Sequence, residues 1–172
     1  MGLAVVKILS KIPDWEIHIL DINETSGTKT AADLPRTTFH RADVTKYEDL
    51  SAAFQQSFDA RSQLDFVFAN AGVIERSNFY ASFDGSAGPP PEPDLLSIDA
   101  DLKGVILTTY LAQHYFRCSP HKGNGANIVM TASCGGLYPS FYSPLYSAAK
   151  CMLLPLSRSH SYCALWAILF AL

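Results

Sequence analysis

Tyr146 and Lys150 stand four residues apart in the stretch Tyr-Ser-Ala-Ala-Lys, and Ser133 lies thirteen residues upstream of the tyrosine. On a helix, positions i and i+4 share a face about one turn apart. A phenol titrates at about 10 in water, and an ammonium beside it favours the phenolate. A tyrosine so placed can give or take a proton at a carbonyl or alcohol oxygen near neutral pH. A serine hydroxyl at the end of a strand can hydrogen-bond the same oxygen, where charge develops during reaction. A YxxxK pair by itself arises often by chance, so its weight depends on the elements that position it.

Those elements read as short apolar strands alternating with amphipathic helices. Residues 2 to 11 form a helical stretch carrying Leu3, Val5, Val6, Ile8 and Leu9, which Pro13 stops. Glu16 to Leu20 is a strand ending at Asp21, and Thr38 to Ala42 a weaker one ending at Asp43. Thr45 is expected to cap a helix running through Phe58. Leu64 to Ala69 is a strand leading into Asn70-Ala71-Gly72, and residues 84 to 94 are a Gly/Pro-rich loop. A long helix is expected over about 95–117, with Ile98, Leu102, Val105 and Ile106 on one side. Asn127 to Thr131 is another strand, and a last helix starts near Leu145.

Strands that are apolar throughout and separated by helices imply a parallel sheet covered on both faces. The expected fold is α/β, a doubly wound, mostly parallel, Rossmann-like sheet. In such sheets ligands bind beyond the carboxyl ends of the strands. Asp21, Asp43, Asn70 and Ser133 all follow those ends.

Asp21, Asp43-Val44, Asn70-Ala71-Gly72, Ser133 and Tyr146-xxx-Lys150 occur in order at spacings that resemble the short-chain dehydrogenase/reductase family. The resemblance covers about residues 2 to 158. It implies that Tyr146 is the general acid/base, that Lys150 favours its phenolate and holds the nicotinamide ribose, and that Ser133 orients the substrate oxygen. It also implies that Asn70, Ala71 and Gly72 line the cofactor cleft and that Asp43 and Val44 meet the adenine. The implied reaction is hydride transfer between a nicotinamide cofactor and a small-molecule alcohol or ketone. A carboxylate closing the second strand of the family pattern accepts from adenosine ribose hydroxyls and repels a 2′-phosphate, so Asp21 favours NAD over NADP. The other reading of Asp21 is as a cap for the helix after it.

Three departures from the family pattern bear on activity. The family opens with a strand and a glycine-rich turn, Thr-Gly-x-x-x-Gly-x-Gly, of which only Gly2 is matched, as a cofactor-binding position. Asp101 stands in Asp101-Leu102-Lys103-Gly104 where the family usually has the Asn that supports proton relay. Asp101 is therefore a candidate for the catalytic set: an acid can hold a water there but cannot donate as an amide does, and a buried carboxylate opposes the tyrosine phenolate. The other reading is that Asp101 pairs with a nearby base and is structural. From His160 the tail to Leu172 leaves the pattern and reads as a frame change or a read-through intron. The expectation is a single incomplete NAD(P)-binding domain over 1–172, truncated at both ends.

Composition sets the remaining bounds. Of 172 residues 48% are hydrophobic and 17% charged, so a sizeable core can form. The net charge of -3 argues against a nucleic-acid partner. No apolar run reaches the roughly 18 residues of a membrane span. The cysteines (118, 134, 151 and 163) are expected to be reduced, buried thiols in a cytoplasmic setting, and the five histidines show no metal-ligand spacing. Helices 95–117 and 145–160 could support a homodimer or homotetramer. The competing functional reading is an inactive remnant acting through association of those helices.

Overall fold

The computed structural model describes residues 1–158. The tail from His160, with Cys163 and the end of the helix expected to reach 160, lies outside the described residues.

The fold is the expected α/β alternation. Helix α1 spans Gly2–Leu9, β1 Ile17–Asp21, α2 Glu24–Asp33, β2 Thr37–Arg41, α3 Tyr47–Arg61 and β3 Phe66–Ala69. A helical run follows, made of α4 (Leu96–Ile98), a π-helical turn (Asp99–Lys103) and α5 (Gly104–Cys118). Strand β4 (Asn127–Met130) and α6 (Pro144–Arg158) follow, up to the last of the described residues. Among the described residues both strand pairs are parallel: Ile19 stands opposite Phe39 between β1 and β2, and Val67 opposite Ile128 between β3 and β4.

The winding is two-sided. Leu20 of β1 packs into the cluster that holds Leu50 and Phe54 of α3 and Leu111, Tyr115 and Phe116 of α5. Phe39 of β2 faces the other way, against Gly27 of α2, where any side chain would strike its ring. Helices α2 and α3 therefore cover opposite faces of β1–β2. Leu153 of α6 joins Val105 of α5 and Ala69 of β3 in a second cluster, which seats α6 beside the ends of β3 and β4.

Among the described residues the strands form two separate two-stranded sheets, β1–β2 and β3–β4. Between β1 and β3 lies a cavity of about 490 Å³, lined by Gly2, Leu9, His18, Leu20, Phe66 and Phe68 among others. Helix α1 borders it and buries none of its own side chains, leaving Leu3 and Ile8 exposed. The α3 core bridges the two halves on one face.

Local details depart from the sequence reading. Thr45 does not cap α3; Lys46 holds the cap position and makes no side-chain cap hydrogen bond, while Thr45 is held by Asp43. The π turn at 99–103 adds a residue to one turn and rotates the face that follows. Val105, Thr108, Leu111 and Ala112 are buried, and Ile106 is 44% exposed. Cys118 and Cys151 are exposed rather than buried, and Cys134 is half-buried; all three are free thiols.

Candidate active site

Strand β4 ends at Met130, and Thr131, Ala132 and Ser133 carry the chain out at the carboxyl end of the sheet. Ser133 Oγ accepts from Gly135 N at 3.1 Å, which closes a short 3₁₀ turn over Cys134–Gly136. That turn packs flat on α6. A Cβ on Gly136 would lie 2.8 Å from the Lys150 carbonyl, so only glycine permits the approach. A Cβ on Gly135 would stand 3.5 Å from both Ser133 Oγ and Tyr146 Cε1. Ser133 and Tyr146 thus face the same small space.

Helix α6 places Lys150 one turn beyond Tyr146. Its Nζ lies 5.6 Å from the Tyr146 ring centroid, donates to Thr131 O at 3.0 Å and makes an ion pair with Asp101 Oδ1 at 2.9 Å. Lys150 is 3% exposed and Asp101 0%. The other Asp101 oxygen accepts from Val73 N at 3.0 Å. Any side chain on Gly72 would strike Asp101 Oδ1, so the Asn70-Ala71-Gly72 turn passes directly over the ion pair. The π turn explains how Asp101 gets there: a widened turn re-aims its side chain out of the regular helical face.

The amino end of α6 is held from another loop. Glu75 Oε2 accepts from Leu145 N at 2.8 Å and from Tyr146 N at 3.3 Å. Pro144 has no N–H to offer, so Glu75 covers the next two orphan donors of the helix. Sequence reading missed Glu75, because its partners are some 70 residues away and no local capping pattern exists. It missed Thr131 too, although its place at the end of β4, two residues before Ser133, was a usable signal.

The remaining expected site residues lie at or near the carboxyl ends of the two sheets' strands, or on α1 beside them. Asn70 Oδ1 accepts from Thr131 Oγ1 at 3.1 Å, and a Cβ on Gly2 would lie 3.1 Å from Asn70 Nδ2. The amino end of α1 therefore meets the carboxyl end of β3. Ala71 and Gly72 are exposed, and Ala71 lines the cavity beside Asn70. Asp21 is exposed at the end of β1, where its Oδ1 accepts from Asn23 N at 2.9 Å. The cap of α2 is Asn23, which accepts from Ser26 N, so the capping role weighed for Asp21 falls to its neighbour. Burial pushes the Asp43 carboxyl up, but hydrogen bonds from Thr45 N and Oγ1 outweigh it and hold the group below the usual carboxylate range. Val44 packs against Gly104, a Cβ on which would lie 3.0 Å from Val44 Cγ2. Contacts thus run from Gly2 through Asn70, Thr131 and Lys150 to Tyr146, while Asp21, at the end of β1, and Asp43, just after β2, sit apart from them. No group of three or more metal-ligating side chains occurs among the described residues, and no described helix is long and apolar enough to cross a membrane.

The short chain dehydrogenase family profile matches residues 1–162. The chain is 68% identical over 165 residues to the short-chain dehydrogenase/reductase prx7 of Penicillium rubens, an alignment covering 94% of this chain and 58% of that protein. It is 26% identical over 155 residues to 15-hydroxyprostaglandin dehydrogenase [NAD(+)] of Rattus norvegicus, covering 87% of this chain and 52% of that protein. It spans little more than half the length of these relatives. The crystal structure of 3-ketoacyl-(acyl-carrier-protein) reductase from Brucella melitensis, complexed with NADH, shares the fold with a TM-score of 0.70 at 21% identity, covering 84% of this chain and 57% of that one.

Proposed function

The chain belongs to the short-chain dehydrogenase/reductase family, and we propose that its site serves hydride transfer between NAD and an alcohol or ketone, with Tyr146 as the acid/base. The observation that carries this reading is the convergence of Ser133 Oγ and the Tyr146 ring on the space beside Gly135, with Lys150 Nζ over the tyrosine.

The residues present fit a nicotinamide dinucleotide. Lys150 has three donors; Thr131 O and Asp101 occupy two of them, which leaves one for a ribose hydroxyl. The amino end of α1, beside Asn70, offers backbone donors to a pyrophosphate. Asp21 is exposed at the strand end, where a ribose diol could donate to it, and this favours NAD over NADP. Asp43 and Val44 would flank the adenine. When bound, the nicotinamide supplies the hydride acceptor or donor. The chain's own part is the proton. In the oxidative direction Ser133 Oγ donates to the substrate oxygen and Tyr146 Oη takes the hydroxyl proton as the C–H hydride leaves. In the reductive direction Tyr146 returns it. Asp101 neutralises Lys150 in the resting arrangement, so this ammonium acts on Tyr146 less strongly than an unpaired one would. Asp101 is a positioning residue in this scheme.

The whole chain would act as one NAD(P)-binding domain. Titration of NADH followed by fluorescence tests the cofactor half: saturation that Asp21→Ala weakens supports it, and a flat titration to millimolar NADH overturns it. Tyr146→Phe tests the proton half. It should lower kcat by about 10²–10⁴-fold and leave NADH affinity in place. A second reading, association through α5 and α6, draws on the exposure of Ile106, Tyr110 and Met152 on those helices. Sedimentation equilibrium decides it, since a monomer at high micromolar concentration rules it out.

A further inference from the structure

We infer that the substrate of this site is an uncharged, ring-bearing alcohol or ketone, held by an aromatic rim built from two loops. This rests on the reading of Ser133 and Tyr146 as the reacting end.

The first loop follows β3 and carries Phe79 and Tyr80; the second joins the Ser133 turn to α6 and carries Phe141 and Tyr142. Tyr80 and Phe141 stack across the gap, with centroids 4.8 Å apart and planes 11° from parallel. Phe79 meets Tyr80 edge-on at 5.4 Å, and Tyr142 meets Phe141 edge-on at 5.7 Å. The loops are thereby joined by a row of rings. The row is open to solvent: Tyr80 is 50%, Phe141 69% and Tyr142 87% exposed. An apolar patch so concentrated marks a binding surface.

Its position ties it to the site. Ser140 N donates to Ser147 Oγ at 3.0 Å, which fastens the Phe141 loop to the residue after Tyr146. Glu75, on the Tyr80 loop, caps α6 at Leu145 and Tyr146. Both loops are thus fixed to the helix turn that carries the proposed acid/base.

Chemistry selects the occupant. Residues 77–83 and 137–146 contain no Asp, Glu, Lys or Arg, and Arg76, just before the first of them, is paired with Asp94 at 2.8 Å, so the rim offers no unpaired cation to a carboxylate, phosphate or acyl-carrier group. Flat rings offer offset and edge-on partners to another ring. A neutral ring system carrying its hydroxyl or carbonyl at one end would lie on the rim and present that oxygen to Ser133 and Tyr146.

The test uses the full chain and three probes: 1-tetralone, 2-butanone and acetoacetate. Ligand-observed saturation-transfer NMR should show 1-tetralone binding with its ring protons most strongly saturated, and the other two binding far more weakly. Phe141→Ser and Tyr142→Ser remove exposed side chains and should each weaken 1-tetralone by about tenfold, with circular dichroism unchanged. Acetoacetate binding as tightly as 1-tetralone overturns the inference. So does unchanged affinity in both variants, or loss of 1-tetralone binding as the chain dimerises, which would assign the rim to a second copy. The two readings fail separately. Tyr146→Phe that keeps turnover defeats the acid/base assignment while leaving rim binding untouched; rim variants without effect defeat the substrate class while Tyr146→Phe still abolishes turnover.

Discussion

Asp101 Oδ1 lies 2.9 Å from Lys150 Nζ, and both side chains are buried beneath the Asn70-Ala71-Gly72 turn. A buried pair of this kind is costly to assemble but far costlier to break from one side, because the survivor keeps its charge without a partner. Lys150→Met should therefore destabilise the chain by about 3–5 kcal/mol. The double variant Lys150→Met/Asp101→Asn removes both charges and keeps an oxygen for Val73 N. It should recover most of that loss. Urea midpoints at pH 7 for the parent, the single and the double variant measure this. Equal midpoints for single and double would mean that the carboxylate is not desolvated by the fold.

Glu75 offers a second prediction. One carboxylate oxygen serves the backbone N–H groups of Leu145 and Tyr146, and a negative charge at a helix amino end is further favoured by the helix dipole. Glu75→Ala should cost about 0.5–2 kcal/mol, the range for losing a helix cap. Glu75→Gln keeps an acceptor and should cost less. The effect should also be local: amide exchange at Leu145 and Tyr146 should accelerate before that of β4. If exchange rises uniformly across the chain, Glu75 supports the fold at large and not the start of α6.

The contrast between these two positions shows what the sequence could reveal. The i, i+4 spacing of Tyr146 and Lys150 is a local rule, and α6 obeys it. Strands β1, β3 and β4 were legible because three or four apolar residues in each (Ile17, Ile19 and Leu20; Phe66 to Ala69; Ile128 to Met130) are bounded by polar ones. The π turn at 99–103 was not legible, since one extra residue in a helix leaves no mark in composition. It moved Ile106 from the expected core face to solvent and aimed Asp101 at Lys150. Pairing of Asp101 with a nearby base is one of two readings that its charge allows. Naming Lys150 as that base required the fold. Glu75 and the Tyr80–Phe141 stack join loops distant in sequence, and only the return of both loops to one end of the sheet brings them together.

His18 makes the chain sensitive to acid. His18 Nδ1 lies 2.9 Å from His40 Nε2, with Glu16 Oε1 3.6 Å from His18 Nε2 and Gln56 of α3 bonded to His40. Burial, then the neighbouring His40, push the His18 imidazole below its ordinary value of 6.5; Glu16 opposes them only partly. A group whose folded pKa is depressed binds fewer protons in the folded state than in the unfolded state, so folding stability rises with pH across its titration. The contribution is fully present above about pH 6.5 and is lost as the pH falls below that. His18→Leu should remove this component. The difference in urea midpoint between parent and variant should then change between pH 7.5 and pH 5, with the parent losing ground at the acid end. A constant difference across that range would show that His18 does not titrate with folding.

The gap between the two sheets can be read from individual amides. Ile17 N donates to Arg36 O at 2.9 Å, and Asp21 O accepts from Ala42 N at 3.0 Å. The odd-numbered residues of β1 therefore point their backbone groups at β2. Successive residues of a strand alternate in direction, so His18 and Leu20 point theirs into the cavity of about 490 Å³. In β3, Ala69 O accepts from Thr131 N at 3.0 Å, which leaves Phe68 facing the same space. Unpaired strand edges are templates for another strand, and these two flank a slot with apolar walls. Hydrogen exchange followed by NMR at low protein concentration should find the amides of His18, Leu20 and Phe68 exchanging far faster than those of Ile17, Ala42 and Thr131. Protection of His18 and Phe68 that grows with protein concentration would show copies of the chain pairing through these edges. Full protection of both at every concentration would mean that the edges are already occupied and that the two sheets are not separate.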